Sequence, residues 1–178
     1  MANSTSASLK LTVQATGENS GTWGQITNTN LLILEQAIGG YGAFNVTDAS
    51  RALTFTNGAL SNGKDQVIKL TGTLEANVNV TIPDSVEKTY IVEDGCNHAG
   101  FTLTFKTTSG TGVLLCEGHT YTLYSDGTNV VKAGELKKWR AISAAETVQA
   151  GAQLLVNTNS GAVTITLPAS PVTGDEVH

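Results

Sequence analysis

Residues Thr16–Tyr41 read TGENSGTWGQITNTNLLILEQAIGGY, the most distinctive stretch of the chain. Three glycines surround Trp23, an apolar run follows, and Gly39–Gly40 end it. Thr27 or Asn28 is a suitable N-cap for a helix, and the double glycine is a suitable αL stop. The stretch therefore predicts a turn-rich loop followed by a helix of about 11 residues.

The predicted helix is apolar around most of its surface. Leu31, Leu34 and Ile38 are spaced at i, i+3 and i+7 on one face, and further apolar residues between them widen the surface. A short helix of this kind is not stable alone in water. We expect it to be buried, either under its own β domain or against neighbouring subunits.

From residue 43 to residue 133 the pattern predicts one short strand after another, with turn signals about every 8–12 residues. SDGT at Ser125–Thr128 predicts a tight hairpin, and Asp94–Gly95 is a predicted break between strands. The fold class is therefore mainly β, with a β-sandwich-like module rather than βαβ units. The predicted strands are Ala52–Thr56, Gln66–Leu70, Val78–Ile82, Thr89–Glu93, Thr102–Lys106, Gly112–Cys116, Thr120–Tyr124 and Asn129–Ala133.

Four ranges follow from these patterns. Residues 1–43 comprise an extended strand suggested by Leu9, Leu11 and Val13, the glycine and tryptophan loop, and the helix. Residues 44–133 form the sandwich-like domain. Residues 134–143, dense in charge, form a connector or one short helical turn, and residues 144–178 begin a second β domain.

Part of the second β pattern repeats the first. Residues 74–92 and 159–177 each contain an alternating strand, a proline, a small polar turn and the start of another strand. Such repetition is typical of a modular array. Because the sequence stops within the last of these strands, we expect the chain to be the N-terminal portion of a longer polypeptide.

Composition excludes several classes of function. Charged residues make up 14% of the chain and the net charge is -5, so a basic footprint for nucleic acid is absent. The N-terminus has no signal-peptide pattern, and no apolar run approaches the roughly 20 residues of a membrane span. We expect the protein to be made in a cytoplasm and not to insert into a membrane.

The sequence predicts no catalytic residue, cofactor or metal, and hence no enzyme. The glycines of the Trp23 loop lack the following G-K-[ST] of a phosphate loop. Glu93 and Asp94 are adjacent, so in a strand they face opposite sides. Cys96 and Cys116 are expected to be reduced thiols, with a disulfide left open.

The histidines offer one further hypothesis. Cys96 and His98 could hold a metal together with Cys116 and His119 if two hairpin loops met. The favoured interpretation places both histidines in exposed, unrelated turns.

The segment ATGENSGTWGQITNTNLLILEQAIGGY resembles the N-terminal segment of tail-fibre and baseplate-type virion proteins of tailed bacteriophages, with those of marine cyanobacterial phages the closest comparison. In such proteins T-G-x-x-x-G-T-W-G-x-x-x-N-x-N-L precedes a β-rich shaft or receptor-binding region. NVTIPD, TLTFKTTSGTGV, YTLYSDGTNVV and VTITLPASPVTGDEV resemble β modules of these fibres.

The resemblance implies a structural protein of the virion tail that forms a homotrimer. Its N-terminal part would attach the fibre to a tail adaptor, nozzle or baseplate protein and so support host adhesion, with the host-binding part beyond His178. No enzyme activity is implied. The implied attachment residues are Gly17, Gly21, Thr22, Trp23, Gly24, Asn28, Asn30 and Leu31, to which the helical spacing adds Leu34 and Ile38 as subunit contacts.

Two alternatives remain open. A carbohydrate-binding β-sandwich module would use Trp23, Trp139 or the tyrosines as platforms. A small depolymerase would need a pair of carboxylates in a groove.

Overall fold

The computed structural model of the chain describes residues 2–47, 50–136, 139–171 and 175–178. Among them the predicted mainly β class with one α-helix is confirmed. The elements are β1 (Ser4–Thr5), β2 (Thr12–Val13), α1 (Trp23–Gly39), β3 (Tyr41–Asn45), β4 (Arg51–Ala52), a 3-10 turn (Asn62–Lys64), β5 (Val67–Thr73), β6 (Val78–Ile82), β7 (Glu87–Asn97), β8 (Leu103–Thr107), β9 (Gly112–Leu115), β10 (Thr120–Asp126), β11 (Val130–Leu136), β12 (Trp139–Ile142), β13 (Glu146–Thr147), β14 (Gln153–Val156) and β15 (Ile165–Thr166).

The main β unit is wound from strands that alternate between two sheets. β3, β5 and β7 run parallel in one sheet, while β4, β6 and β8 run parallel in the other. β9 then pairs antiparallel with β8, β10 with β7, and β11 with β10. The result is a sandwich-like pair of sheets in the orders β11-β10-β7-β5-β3 and β4-β6-β8-β9.

The core of this unit lies between the two sheets. On β6, Val78, Val80 and Ile82 are buried while the residues between them are not. From the two sheets, Tyr90 and Phe105 meet edge to face with ring centroids 5.5 Å apart. Burying each such large apolar side chain contributes roughly 1.5–3 kcal/mol, so the period-two alternation fixes which face of each strand turns inward.

A second, smaller unit repeats the same winding. β12 pairs parallel with β14, and β13 pairs parallel with β15, around a small core of Ile142, Val148 and Leu154. In the first unit Leu53 N donates to the Thr81 oxygen at 2.7 Å, and in the second Val148 N donates to the Thr166 oxygen at 2.9 Å. The two acceptors, Thr81 and Thr166, occupy matching positions in the ranges 74–92 and 159–177. Residues 172–174 of the second range lie outside the described residues.

The structure corrects three local predictions. Asp94–Gly95 is not a break but part of β7, where a Cβ on Gly95 would lie close to the Leu70 oxygen of β5, at 3.0 Å. The helical turn predicted as one alternative within 134–143 was wrong, because β11 and β12 occupy the described part of this range. Residues 137 and 138 lie outside the described residues. The N-terminal alternation gives the short hairpin β1–β2 instead of one extended strand.

Lys88 lies on β7 and is partly buried. Its Nζ donates to the backbone oxygens of Asp65 and Thr89 and to Oε1 of Gln66, each at 3.1 Å. It also lies 4.4 Å from the centre of the Tyr90 ring. Burial lowers the pKa of Lys88 to about 8, although the charge of Asp65 acts in the opposite direction.

We expect the free energy of unfolding to rise between about pH 8 and pH 10, because there the unfolded chain keeps a proton on residue 88 that the folded chain has released. Above this window, ionisation of tyrosine in the unfolded chain opposes the rise, since burial raises the pKa of Tyr90 in the folded state. Urea unfolding at a series of pH values measures the slope. Lys88→Met should reduce it, and an equal slope in both proteins would contradict the prediction.

Candidate functional site

Two turns lead into α1. Gly17 and Gly21 adopt φ angles of 81° and 79°, which glycine reaches without strain. The amides of Thr22 and Trp23 both donate to the Asn19 oxygen at 2.9 Å. This backbone turn starts the helix at Trp23, with Thr22 in the N-cap position and no side-chain cap bond.

The predicted helix ends were wrong. Thr27 and Asn28 lie inside α1, which is 17 residues long because the turn at Asn19 supplies its first backbone bonds. Gly40 at the other end is extended, with φ -66° and ψ 145°, and is not an αL residue. Glycine is required there for space, since a Cβ would lie 2.3 Å from the Gln36 oxygen.

The inner face of α1 is tied to the rest of the chain mainly by polar contacts. The Asn30 side chain accepts from Thr12 N at 2.9 Å and donates to Thr12 O at 2.8 Å. The Gln36 amide donates to the Ser61 oxygen and to Oδ1 of Asp65. Ile33 alone among the residues of the helix, all of them described, is fully buried.

The outer face of α1 carries a largely apolar row, the helix seam, formed by Gly24, Thr27, Leu31, Leu34 and Ile38, of which Leu31 and Ile38 are exposed and the other three are half-buried. The spacing alternates between three and four residues, the spacing of a coiled-coil core. At about 100° per residue the seam lies on the side away from Ile33. Leu31 is 58% exposed and Ile38 78% exposed. The helix, expected to be buried under its own β domain or against neighbouring subunits, thus has an apolar face that its own chain covers only in part.

Trp23 adds to this surface at the start of the helix, where it is 64% exposed. Glu35 is the one charged residue in α1. An apolar face with so little charge gains free energy when another surface removes it from water, at roughly 25 cal/mol per Å² of apolar area. Interfaces between proteins use such faces, with tryptophan among the residues that contribute most.

The structure separates the predicted attachment residues into groups. Trp23, Leu31 and Ile38 are exposed, while Gly24 and Leu34 beside them are half-buried. Asn28 is also exposed. Asn30 instead faces the chain itself, and Gly17, Gly21 and Thr22 shape the turn before the helix.

A second polar site, not predicted from the sequence, lies between the two β units. His98 Nε2 and Asp94 Oδ2 are 2.7 Å apart, and the two residues are 4% and 0% exposed. Gln149 of the second unit places its Nε2 3.4 Å from His98 Nδ1. His98 and Gln149 line a cavity of about 480 Å³, together with Glu117 and Arg140 among other residues.

The prediction that His98 and His119 are exposed turn residues was wrong, since both are buried. The spacing of Asp94 and His98 could have indicated that their side chains lie together, because residues four apart in a strand point to the same face. Glu93 faces the opposite side of β7 from Asp94, as the sequence predicts, and pairs with Lys69 at 3.2 Å.

Both cysteines are free thiols. Cys96 is buried, and burial, followed by the charge of Asp94, raises its pKa to about 12. Cys116 is half-buried, with Sγ 3.2 Å from the Ala150 oxygen. A thiol with so high a pKa is a poor nucleophile at neutral pH, so Cys96 serves as a core side chain.

Within the described ranges, no group of three or more histidine, cysteine and acidic side chains is placed to hold a metal ion. No helix of the described part of the chain is long and apolar enough to cross a membrane. No protein-family model, curated protein or solved structure matches the chain.

Proposed function

We propose that this chain is a structural assembly protein, the N-terminal region of a tailed-phage tail fibre, which anchors the fibre to the tail or baseplate and supports host adhesion. The observation that carries the proposal is the exposed face of α1. Trp23, Leu31 and Ile38 all lie open on a helix with one fully buried residue. A face of this kind suits a protein that works by joining other chains.

Self-association is the first part of the proposal. The helix seam has coiled-coil spacing, so copies of α1 can pack around a common axis, and we propose a homotrimer. The β units suit a rigid shaft, because each is held by backbone pairing between successive turns of the winding. The protein would then reside in the virion tail after assembly in the host cytoplasm.

Attachment to a tail adaptor, nozzle or baseplate protein is the second part. Trp23 stands at the exposed start of α1, beside glycines that leave room for a partner. A tryptophan of this kind fills a pocket on a partner and contributes about 2 kcal/mol or more to binding. We assign this role to Trp23.

The native mass of the purified protein, alone and with isolated tail protein, tests the proposal. We expect a trimer that gains mass on mixing, and Trp23→Ala should weaken the tail complex by about 30-fold or more. Trp139→Ala, at another exposed tryptophan in the second β unit, is the matched control and should bind normally. A monomer, or normal binding by Trp23→Ala, would count against the proposal.

A carbohydrate-binding module is the second candidate, favoured by the exposed ring of Trp139 on β12. It predicts a monomer whose tryptophan fluorescence changes on glycan addition and whose response is lost in Trp139→Ala. The tail-fibre proposal predicts no such response.

A further inference from the structure

We propose that the interface between copies continues from the helix seam onto the outer surface of the five-stranded sheet, and that its occupant is a second copy of this chain. The inference rests on the proposed self-association, but it concerns a different surface. That surface is a row across four neighbouring strands, the sheet row, formed by the exposed Tyr41, Ile91 and Thr122 and the half-buried Val67.

The strand registers place these four residues side by side. Tyr41 pairs with Val67, Val67 with Ile91, and Ile91 with Thr122. Residues opposite one another in a sheet point to the same face, so the row is continuous. Tyr41 is 59% and Ile91 37% exposed, and Tyr124 on the same face is also exposed.

The sheet row begins where the helix seam ends. Ile38 and Tyr41 are three residues apart, so their Cα atoms are separated by at most about 11 Å. Gly40 fixes the corner between them, because a Cβ there would meet the Gln36 oxygen and Oδ1 of Asp65 at 2.3 and 2.7 Å. A copy that covers Ile38 is therefore brought close to the edge of the sheet.

The charge on this face suits a copy of itself. The next row contains Ala43, Lys69, Glu93 and Thr120, and its two charges lie 3.2 Å apart and neutralise each other. Two such faces do not repel when they meet. The outer side of β8 in the other sheet instead presents Thr104 and Lys106, which suits contact with water.

The size of the interface gives a further argument. A stable interface buries roughly 800 Å² on each partner. The 17 residues of α1 span about 25 Å, and a helix presents a strip about 10 Å wide, which gives about 250 Å² in projection. Five strands spaced about 4.8 Å apart add a face roughly 24 Å wide. The helix alone is therefore too small for a stable interface, and the sheet supplies a further face beside it.

Three variants test the inference by sedimentation across a range of protein concentrations. Ile91→Glu places a charge in the sheet row, Ile38→Asp places one in the helix seam, and Thr104→Glu is the matched control on the other sheet. We expect Ile91→Glu to weaken association at least tenfold and Thr104→Glu to leave it unchanged. Ile91→Thr, which keeps a β-branched side chain, should show a smaller loss in the same direction.

The outcomes separate the inference from the proposed function. Wild-type association by both Ile91 variants, with dissociation by Ile38→Asp, would overturn the sheet interface and leave the helical assembly standing. A monomeric wild-type protein would overturn both. Equal losses in Ile91→Glu and Thr104→Glu would also overturn the inference, since the effect would then not depend on the face.

Discussion

Replacing Ile38 by aspartate should turn the assembled protein into monomers at concentrations where the wild type stays associated. The side chain is 78% exposed in the single chain, so the folded monomer loses little. A surface substitution of this kind changes the free energy of unfolding by about 0.5 kcal/mol, and a negative charge in the last turn of a helix costs about 0.3–1 kcal/mol more. Both effects are small beside the expected loss of association.

The effect on association is larger because each copy loses an apolar contact and must bury a charge. Covering an isoleucine contributes roughly 1.5–3 kcal/mol, and an unpaired carboxylate in the interface costs several more. A loss of about 3 kcal/mol already weakens association by more than 100-fold. Sedimentation velocity measures the change directly.

Leu32→Asp is the matched control for this prediction. Leu32 is also exposed on α1, but it lies outside the seam, about 100° around the helix axis from Leu31. Leu32→Asp should leave most of the association intact. Circular dichroism should show the same helix content in Leu32→Asp and Ile38→Asp. Equal dissociation by the two variants would mean that the seam is not the contact.

Much of the fold follows from the alternation of apolar residues. The strand Val78–Ile82 was predicted with both of its ends correct, and the SDGT turn does join the antiparallel strands β10 and β11. The parallel winding was not predicted, because a strand with one buried face alternates in the same way in parallel and antiparallel pairs. Pairing partners depend on contacts between residues about 25 positions apart, such as Val67 with Ile91.

The candidate site was predicted in part. The 3.6-residue period located Leu31, Leu34 and Ile38 on one face, but the start of α1 depends on a backbone turn at Asn19 that carries no strong residue signal. Burial of His98 also escaped prediction. His98 is buried where the end of β7 meets the loop before β10, which is held by the hydrogen bond from Gly118 N–H to the Asp94 oxygen. A local sequence pattern does not contain that long-range contact.

Removing His98 should be the most destabilising of the proposed single changes. His98→Ala leaves the Asp94 carboxylate fully buried, with the Cys96 amide still donating to its Oδ1 at 3.1 Å. Breaking a buried pair by deleting one partner typically costs about 3–5 kcal/mol, since the other charge stays in a poorly solvated place. Chemical unfolding followed by fluorescence measures the loss.

The chain contains its own control for this change. His178 and Glu176 form a similar pair at 2.9 Å, but both side chains are well exposed to solvent. His178→Ala should therefore cost about 0–1 kcal/mol. Equal costs for the two histidines would contradict the prediction, and the double variant Asp94→Ala with His98→Ala should recover part of the loss, because no buried charge remains.

His98 also contacts the second β unit, so its removal should affect residues beyond β7. The contact between His98 Nδ1 and Gln149 Nε2 at 3.4 Å disappears in His98→Ala, whereas the bond between Gln149 and the Phe101 oxygen at 3.4 Å is retained. We expect His98→Ala to accelerate amide hydrogen exchange in residues 146–156 more than in β6, which lies away from the contact. Unchanged exchange there would show that the second unit keeps its position through its other contacts, such as that of Cys116 Sγ with the Ala150 oxygen.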